Sequence, residues 1–526
     1  MSVAVSDGAA RGVPARLAAL VERRGWRLVF AVLGGAGLAF AFPPFDFIPA
    51  LVAFSLLLAL LEFGAAPARR PVLERALVGA GFGFGFHLMG LWWVGAAFLV
   101  EAERYAVLLP LAVVGLPLLL APFTALAAAL AGLAPPSLAW RALALALALS
   151  ASEWLRSFVL TGFPWNAIGF GLTQTSLMAQ SAAVVGVNGL AIAAVLLGAL
   201  PAALCERRSR WLAAPVGVIL AAMAAYGAHR LLTVPATPPD AALVRIVQPN
   251  VPQDQKWEPA QRGPIWQRLL ALTRGSADAP HPDIVLWPET AIPFLYRTPS
   301  LEQTELAEAL APASTLVTGA AEYVMTPAGP RTFNTVTIIG PDGTRRARYD
   351  KVHLVPFGEY VPLAGLLTRL GFSALAAGGS SFAAGTAPTT LATGNLPPFQ
   401  PLICYEVIFP HVIAPAGTPA ARWIVNVTND AWFGNTPGPR QHLRHAELRA
   451  VERGLPVARA ANTGISAMID TAGRPVERLA LGETGAITVP LPAARATLYA
   501  RVGDAPLFAF WLCYSILMVV VKRRER

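Results

Sequence analysis

Charge is scarce in this 526-residue chain: only 14% of its residues are Asp, Glu, Lys or Arg, against 55% hydrophobic. Soluble domains carry roughly a quarter charged residues, so one ordinary soluble domain is excluded and a membrane protein is indicated. Cysteine is scarcer still. Of the three present, Cys205 and Cys513 fall at or within apolar runs and Cys404 stands alone in the polar part, which rules out a disulfide framework. Histidine offers His442 and His445 at i, i+3 spacing, but zinc needs a third ligand at a defined spacing and no Cys or His cluster supplies it. A Gly-rich phosphate loop and a dinucleotide fingerprint are also missing, so neither a metal nor a nucleotide cofactor is expected. The net charge of +10 comes from arginines in short clusters between apolar runs, without the basic stripe and interleaved aromatics of a nucleic-acid binder. There is no internal repeat.

What is abundant is apolar sequence. Runs of about 20 residues, the length that crosses a bilayer, lie at Trp26–Phe42, Phe45–Phe63, Val72–Phe98, Ala106–Leu133, Leu138–Phe158, Leu177–Leu204, Trp211–Leu232 and Ala505–Val521. Eight spans bring the basic clusters Arg11–Arg27, Arg69–Arg75, Arg141, Arg207–Arg210 and Lys522–Arg526 to one side, which the positive-inside rule makes cytoplasmic. Both termini are then cytoplasmic and the polar segment after the seventh span lies outside. Met1–Gly25 leads into the first span with no small-residue cleavage site, so an uncleaved first helix is expected. Glu153 and Arg156 at the outer end of the fifth span read as a snorkelling interfacial pair, or as a contact for a lipid headgroup. Gly81-Phe82-Gly83-Phe84-Gly85 reads as a close helix-packing face.

Composition changes abruptly at Thr233. The chain divides into a transmembrane part at 1–232, a polar domain at 233–504, and a last span with a basic tail at 505–526. Within the polar domain, strand patterns at Leu243–Gln248, Ile284–Trp287, Leu316–Thr318, Thr335–Ile339, Leu402–Tyr405, Ile424–Thr428 and Ser466–Ile469 alternate with helical ones at Glu302–Leu310 and His442–Arg453. A hairpin turn is expected at Pro341-Asp342-Gly343. This is the pattern of a layered α/β domain. The apolar, Gly/Ala-rich segment Val361–Gly385 reads either as a core helix with a loop or as a lid dipping into the outer leaflet.

Three motifs carry chemistry. Trp287-Pro288-Glu289 ends a buried strand with a carboxylate, a placement that suits a general base but also a cap or salt-bridge partner. Lys351, opening Lys351-Val352-His353-Leu354-Val355-Pro356-Phe357-Gly358-Glu359, offers a cation for a developing oxyanion, or is a surface lysine; Glu359 is placed to keep it charged. Ile403-Cys404-Tyr405-Glu406 delivers a thiol that is reactive only with a base and a cation at hand. Beyond it, Asn426–Gly434 adds a polar and aromatic turn after a strand.

Together these motifs resemble the carbon–nitrogen hydrolase (nitrilase) superfamily, whose sites use Glu, Lys and Cys in that order; here they are separated by 62 and 53 residues. With seven spans before the domain, one after, and Leu160-Thr161-Gly162-Phe163-Pro164-Trp165 in the membrane half, nearly the whole chain is similar to the bacterial apolipoprotein N-acyltransferase family. The resemblance implies a fold of eight transmembrane helices plus a periplasmic nitrilase-like αββα sandwich, in the inner membrane. It implies Glu289 as base, Lys351 as the lysine stabilising the tetrahedral intermediate, Cys404 as nucleophile and Glu359 as supporting glutamate. Trp257, Asn334, Tyr405, Glu406 and Trp432 match positions at the site or its entrance. One departure is Phe333, where Tyr more often precedes the Asn.

The resemblance further implies a two-step transfer of a fatty acyl chain through a Cys thioester. The donor is a membrane phospholipid, preferentially phosphatidylethanolamine, and the acceptor is the α-amino group of a diacylglyceryl-modified lipoprotein cysteine. A monomer is expected. An active site beside a bilayer favours lipid over water as the partner of such a thioester. A membrane-tethered amidase acting on a small amide uses the same triad, with the spans as mere anchor. A transporter with an outer binding domain places ionisable groups near mid-membrane, whereas here they concentrate at span ends.

Overall fold

A computed structural model describes residues 22–524 apart from 66–67, 277, 279, 328, 363–368, 370–381, 393, 395 and 414–419. The expected lid at Val361–Gly385 and the lead at Met1–Gly25 thus lie mostly outside the described residues. The chain forms two units, Met1–Leu232 with Arg501–Arg526, and Thr233–Ala500.

In the first unit the long apolar runs are helical, because a chain without water to bond must satisfy its backbone within the segment. Among the described residues six helices are long and apolar enough to cross a membrane: Ile48–Ala65, Pro71–Leu99, Ala102–Ala131, Leu138–Arg156, Ala182–Cys205 and Arg207–Leu232. The other two expected spans are helical as well. Arg24–Leu38 has 15 residues and passes into a 3-10 turn at Ala39–Ala41 just before Pro43-Pro44. The terminal helix Ala505–Arg524 has 20 residues, and its apolar run Ala505–Val521 ends before Lys522. Glycine sets the closest crossing. A Cβ on Gly35 would stand 1.9 Å from the Phe82 carbonyl oxygen, and one on Gly85 would stand 2.0 Å from that of Val32, so helices Arg24–Leu38 and Pro71–Leu91 meet backbone to backbone.

Glu153 and Arg156 differ from the expectation of a snorkelling pair. Both are buried, Arg156 at 1% exposure, and Arg156 Nη2 lies 2.7 Å from Glu153 Oε2. Arg156 Nη1 donates to the carbonyls of Phe163 (2.5 Å) and Trp165 (2.9 Å), while Glu153 Oε2 accepts from the Ile168 N–H at 3.1 Å. The ion pair turns inward and bonds the backbone of the connection that follows the helix.

The second unit is a sandwich of two sheets. One has the order β11-β1-β2-β3-β4-β5, with β1 Leu243–Gln248, β2 Ile284–Leu286, β3 Thr315–Thr326, β4 Gly329–Ile339, β5 Arg345–Asp350 and β11 Gly485–Pro490. The other is β10-β9-β8-β7-β6, with β6 Phe399–Ile403, β7 Trp423–Thr428, β8 Val457–Ala461, β9 Ala467–Ile469 and β10 Pro475–Arg478. Strands β1, β2 and β3 run parallel, as do β6, β7 and β8. Alternation assigns the faces. Val244, Ile246, Ile284 and Leu286 meet Ile403, Val425, Val427 and Ala460 of the other sheet in one core. Val247 and Val285 point outward onto helices Arg262–Arg274 and Leu301–Ala309 through Leu269, Leu270 and Leu306. The second sheet carries helix Pro437–Arg453, which buries Leu443, Ala446 and Ala450. Helix, sheet, sheet and helix follow in layers. Pro341-Asp342-Gly343 forms the β4–β5 hairpin, closed by Gly343 N–H to Gly340 O and Gly340 N–H to Thr344 O, both 2.9 Å.

Candidate active site

Each chemical motif sits where a strand ends and its backbone is released from the ladder. Glu289 follows β2 in a turn whose next residue, Thr290, has φ 44°. That turn lies flat on β3, since a Cβ on Gly319 would meet Glu289 Cα at 2.5 Å. Lys351 is the first residue after β5, its N–H donating to the Asn334 carbonyl at 2.8 Å. Cys404 is the first residue after β6, not the interior of a strand reaching Tyr405. It opens a 3-10 turn with φ 50°, a left-handed conformation that costs of order 1–3 kcal/mol outside glycine and concentrates at functional turns.

The polar side chains converge. Lys351, at 1% exposure, holds Nζ 2.8 Å from Glu359 Oε2 and 3.7 Å from Glu289 Oε1. Asn334 on β4 uses the two hydrogens of Nδ2 to bridge Glu289 Oε1 and Glu359 Oε1, each at 2.8 Å. Glu359 Oε2 also takes the Val355 N–H at 2.8 Å. Burial alone drives the Lys351 pKa down, but Glu359 and Glu289 outweigh it and hold the ammonium charged well above its ordinary range. At Cys404, burial, Glu289 and Asp430 push the thiol up, and Lys351 with a Thr428 hydrogen bond offsets only part of this. The resting thiol is therefore protonated, and it becomes a nucleophile only as its proton is taken.

Glu406 is fully buried and works as a clamp. Its Oε1 accepts from Tyr349 Oη (2.8 Å), Val352 N–H (2.8 Å) and His353 N–H (3.1 Å), and its Oε2 accepts from Ile403 N–H (2.8 Å). One carboxylate thus ties the segment carrying Lys351 to the turn carrying Cys404. Tyr405 is buried, its ring 5.0 Å from Phe409 and 5.8 Å from His353. Trp257 and Trp432 are exposed rings.

Two groups escaped the sequence reading. Lys256 is buried and donates to the Glu289 carbonyl (3.0 Å) and to Thr290 Oγ1 (2.6 Å), bracing the strained turn under the carboxylate. Burial lowers its pKa to about 8 against the pull of Glu289 and Cys404. Its one sequence signal was adjacency to Trp257, whose ring it faces at 6.0 Å. The second group is His442, Asp430 and Arg459. His442 is no metal candidate: it is fully buried, with Nδ1 2.8 Å from Asp430 Oδ1 and Nε2 3.1 Å from the Cys404 carbonyl oxygen.

Comparison with known proteins covers both units. The family model described as "Carbon-nitrogen hydrolase" matches residues 243–501, and the one described as "Apolipoprotein N-acyltransferase N-terminal domain" matches residues 34–200. A Rhodopseudomonas palustris apolipoprotein N-acyltransferase is 42% identical over 534 residues, covering 98% of this chain and 99% of its own. The Agrobacterium fabrum protein of the same name is 43% identical over 507 residues, covering 94% and 95%.

Proposed function

The chain belongs to the apolipoprotein N-acyltransferase family, and we propose from that premise that it moves a fatty acyl chain from a membrane phospholipid, through a thioester on Cys404, to the α-amino group of a diacylglyceryl-modified N-terminal cysteine of a lipoprotein. The observation that carries the reading is Lys351 lodged between Glu289 and Glu359 while its charge and that of Glu289 are both felt at the Cys404 thiol.

In the first step Glu289 takes the Sγ proton, Sγ bonds to the ester carbonyl carbon, and the charge on the carbonyl oxygen falls to Lys351 and a backbone N–H at Tyr405. The ester C–O bond breaks and Glu289 returns the proton to the departing lysophospholipid oxygen. In the second step the neutral amine attacks the thioester, Glu289 accepts a proton from its nitrogen, the C–S bond breaks, and the proton passes to Sγ. Glu359 and Asn334 keep Lys351 and Glu289 in register throughout. Trp257 and Trp432 serve at the entrance in this reading. Phosphatidylethanolamine is the preferred donor and a monomer the working form.

For topology, helices Arg24–Leu38 and Ala505–Arg524 add to the other six to give eight spans. An even number returns both termini to one side, which the basic clusters make cytoplasmic, and the α/β unit then faces the periplasm of the inner membrane.

The test is single-turnover labelling of the full-length protein by a phospholipid with a radiolabelled acyl chain, followed by addition of a diacylglyceryl-cysteinyl peptide. The wild type forms a hydroxylamine-sensitive acyl-enzyme and then a triacylated peptide, whereas Cys404→Ser forms neither. An acyl adduct that persists in Cys404→Ser, or release of free fatty acid with no acylated peptide, overturns the reading.

A further inference from the structure

The residues Cys404, His442 and Asp430 have the composition of a nucleophile, base and orienting acid, yet the imidazole is not turned on the sulfur. Its Nε2 lies 3.1 Å from the carbonyl oxygen of Cys404. A carbonyl only accepts, so Nε2 is the donor in this bond. The ring is held behind it by a buried network: Nδ1 lies 2.8 Å from Asp430 Oδ1 and 3.3 Å from Arg459 Nη2, and Asp430 Oδ2 takes Arg459 Nη2 at 2.7 Å. Arg459 Nη1 bonds Asn426 Oδ1, and Asn426 Nδ2 donates to the Leu402 carbonyl at 3.0 Å. Two backbone carbonyls, one at the nucleophile and one two residues before it, are thereby fixed by side chains from β7, the following turn, helix Pro437–Arg453 and β8.

The Cys404–Tyr405 peptide is trans, as cis bonds among the described residues occur at Pro43-Pro44 and Thr298-Pro299. In a planar trans unit the C=O and the N–H point in opposite directions. With Cys404 already in a left-handed conformation, the rotation of this one plane decides where the Tyr405 N–H points.

We propose that His442 is a positioning residue for acyl transfer: by holding the Cys404 carbonyl it turns the Tyr405 N–H away from helix Pro437–Arg453 and fixes it as the backbone donor to the oxyanion formed at Cys404. The proposal rests on the Cys404 acyl-enzyme reading above. It separates two properties that a merely structural histidine would change together. Attack on a carbonyl builds an oxyanion and needs the donor, whereas alkylation of the same sulfur by iodoacetamide builds none.

The experiment compares wild type, His442→Leu and His442→Gln, all full length in detergent micelles. Acyl-enzyme formation is measured from labelled phospholipid and from p-nitrophenyl butyrate, and alkylation is read at Cys404 by mass spectrometry. His442→Leu is expected to slow acylation by about a hundredfold, the scale of one lost oxyanion donor, while alkylation changes less than about threefold. His442→Gln, which keeps an N–H for the carbonyl, recovers at least about tenfold of the loss. Equal falls in acylation and alkylation, or acylation by His442→Leu at the wild-type rate, overturn the proposal. If His442→Leu does not fold, His442→Gln against the one-carbon-shorter His442→Asn gives the same ratio. A wild type acylated by the activated ester but not by phospholipid sinks the lipid-donor reading, and the ratio on the ester still decides the role of His442.

Discussion

Each unit of this protein buries an ion pair whose arginine or lysine is 1% exposed, and the two pairs do different work. Arg156 and Glu153 spend their remaining hydrogen bonds on the backbone of residues 163–168, so every charge is closed on a fixed partner. Lys351 faces two carboxylates and one neutral amide, Asn334, with Lys256 buried beneath Glu289 and the Cys404 thiol beside them. In the proposed mechanism a proton transfer from Cys404 to Glu289 is a redistribution within this cluster, with Lys351 ready to meet the charge as it moves to the substrate oxygen. Burial of a pair is therefore no sign of chemistry by itself. What its spare bonds point at is the sign.

The largest effect should come from breaking the second pair. Lys351→Met leaves Glu289 and Glu359 bridged by Asn334 alone; single-turnover acylation should fall by about a thousandfold or more, and unfolding should need about 3 kcal/mol less. Breaking the first pair sharpens the contrast. Arg156→Met should cost a similar ~3 kcal/mol in stability, read by thermal unfolding in detergent, yet acylation per folded molecule should change less than about tenfold. A variant of Arg156 that keeps its melting temperature and loses acylation would break the distinction.

The smallest effect concerns Lys256, the brace beneath Glu289. Its pKa is lowered from 10.5 to about 8, so between these values the unfolded chain binds more protons than the folded one, and stability rises with pH across that window. In denaturant titrations from pH 7 to 11 the wild-type curve should gain this rise relative to Lys256→Met, the difference between the two curves separating it from the opposite trend set by the raised Cys404 thiol.

Much of the α/β unit was legible because its central strands are apolar and alternate: β1, β2, β6 and β7 stand where Leu243–Gln248, Ile284–Trp287, Leu402–Tyr405 and Ile424–Thr428 were expected, within three residues. Strands β5, β8, β10 and β11 were not, and the sequences of the first three say why. Arg345–Asp350 and Pro475–Arg478 are charged edge segments that pair on one side only, and Val457–Ala461 carries Arg459 at its centre. An arginine inside a buried strand contradicts any pattern read from hydropathy, and is tolerated only because Asp430 and Asn426, about 30 residues earlier, complete it.

By itself the sequence determined the division into an apolar helical part and a polar α/β part, and it exposed Glu289 and Cys404, because each lies at the end of a local apolar run that marks a strand, and Lys351 and Glu359, because they stand in one short motif between the two. Only the tertiary structure decided which polar groups share a bond. Glu406 as a clamp between two segments, Lys256 under Glu289, His442 on the Cys404 carbonyl and Arg156 closed upon its own loop are all relations between positions without a common local pattern. Their physical cause is the need of buried polar atoms to find partners wherever the fold brings them, and that need leaves no period in the chain.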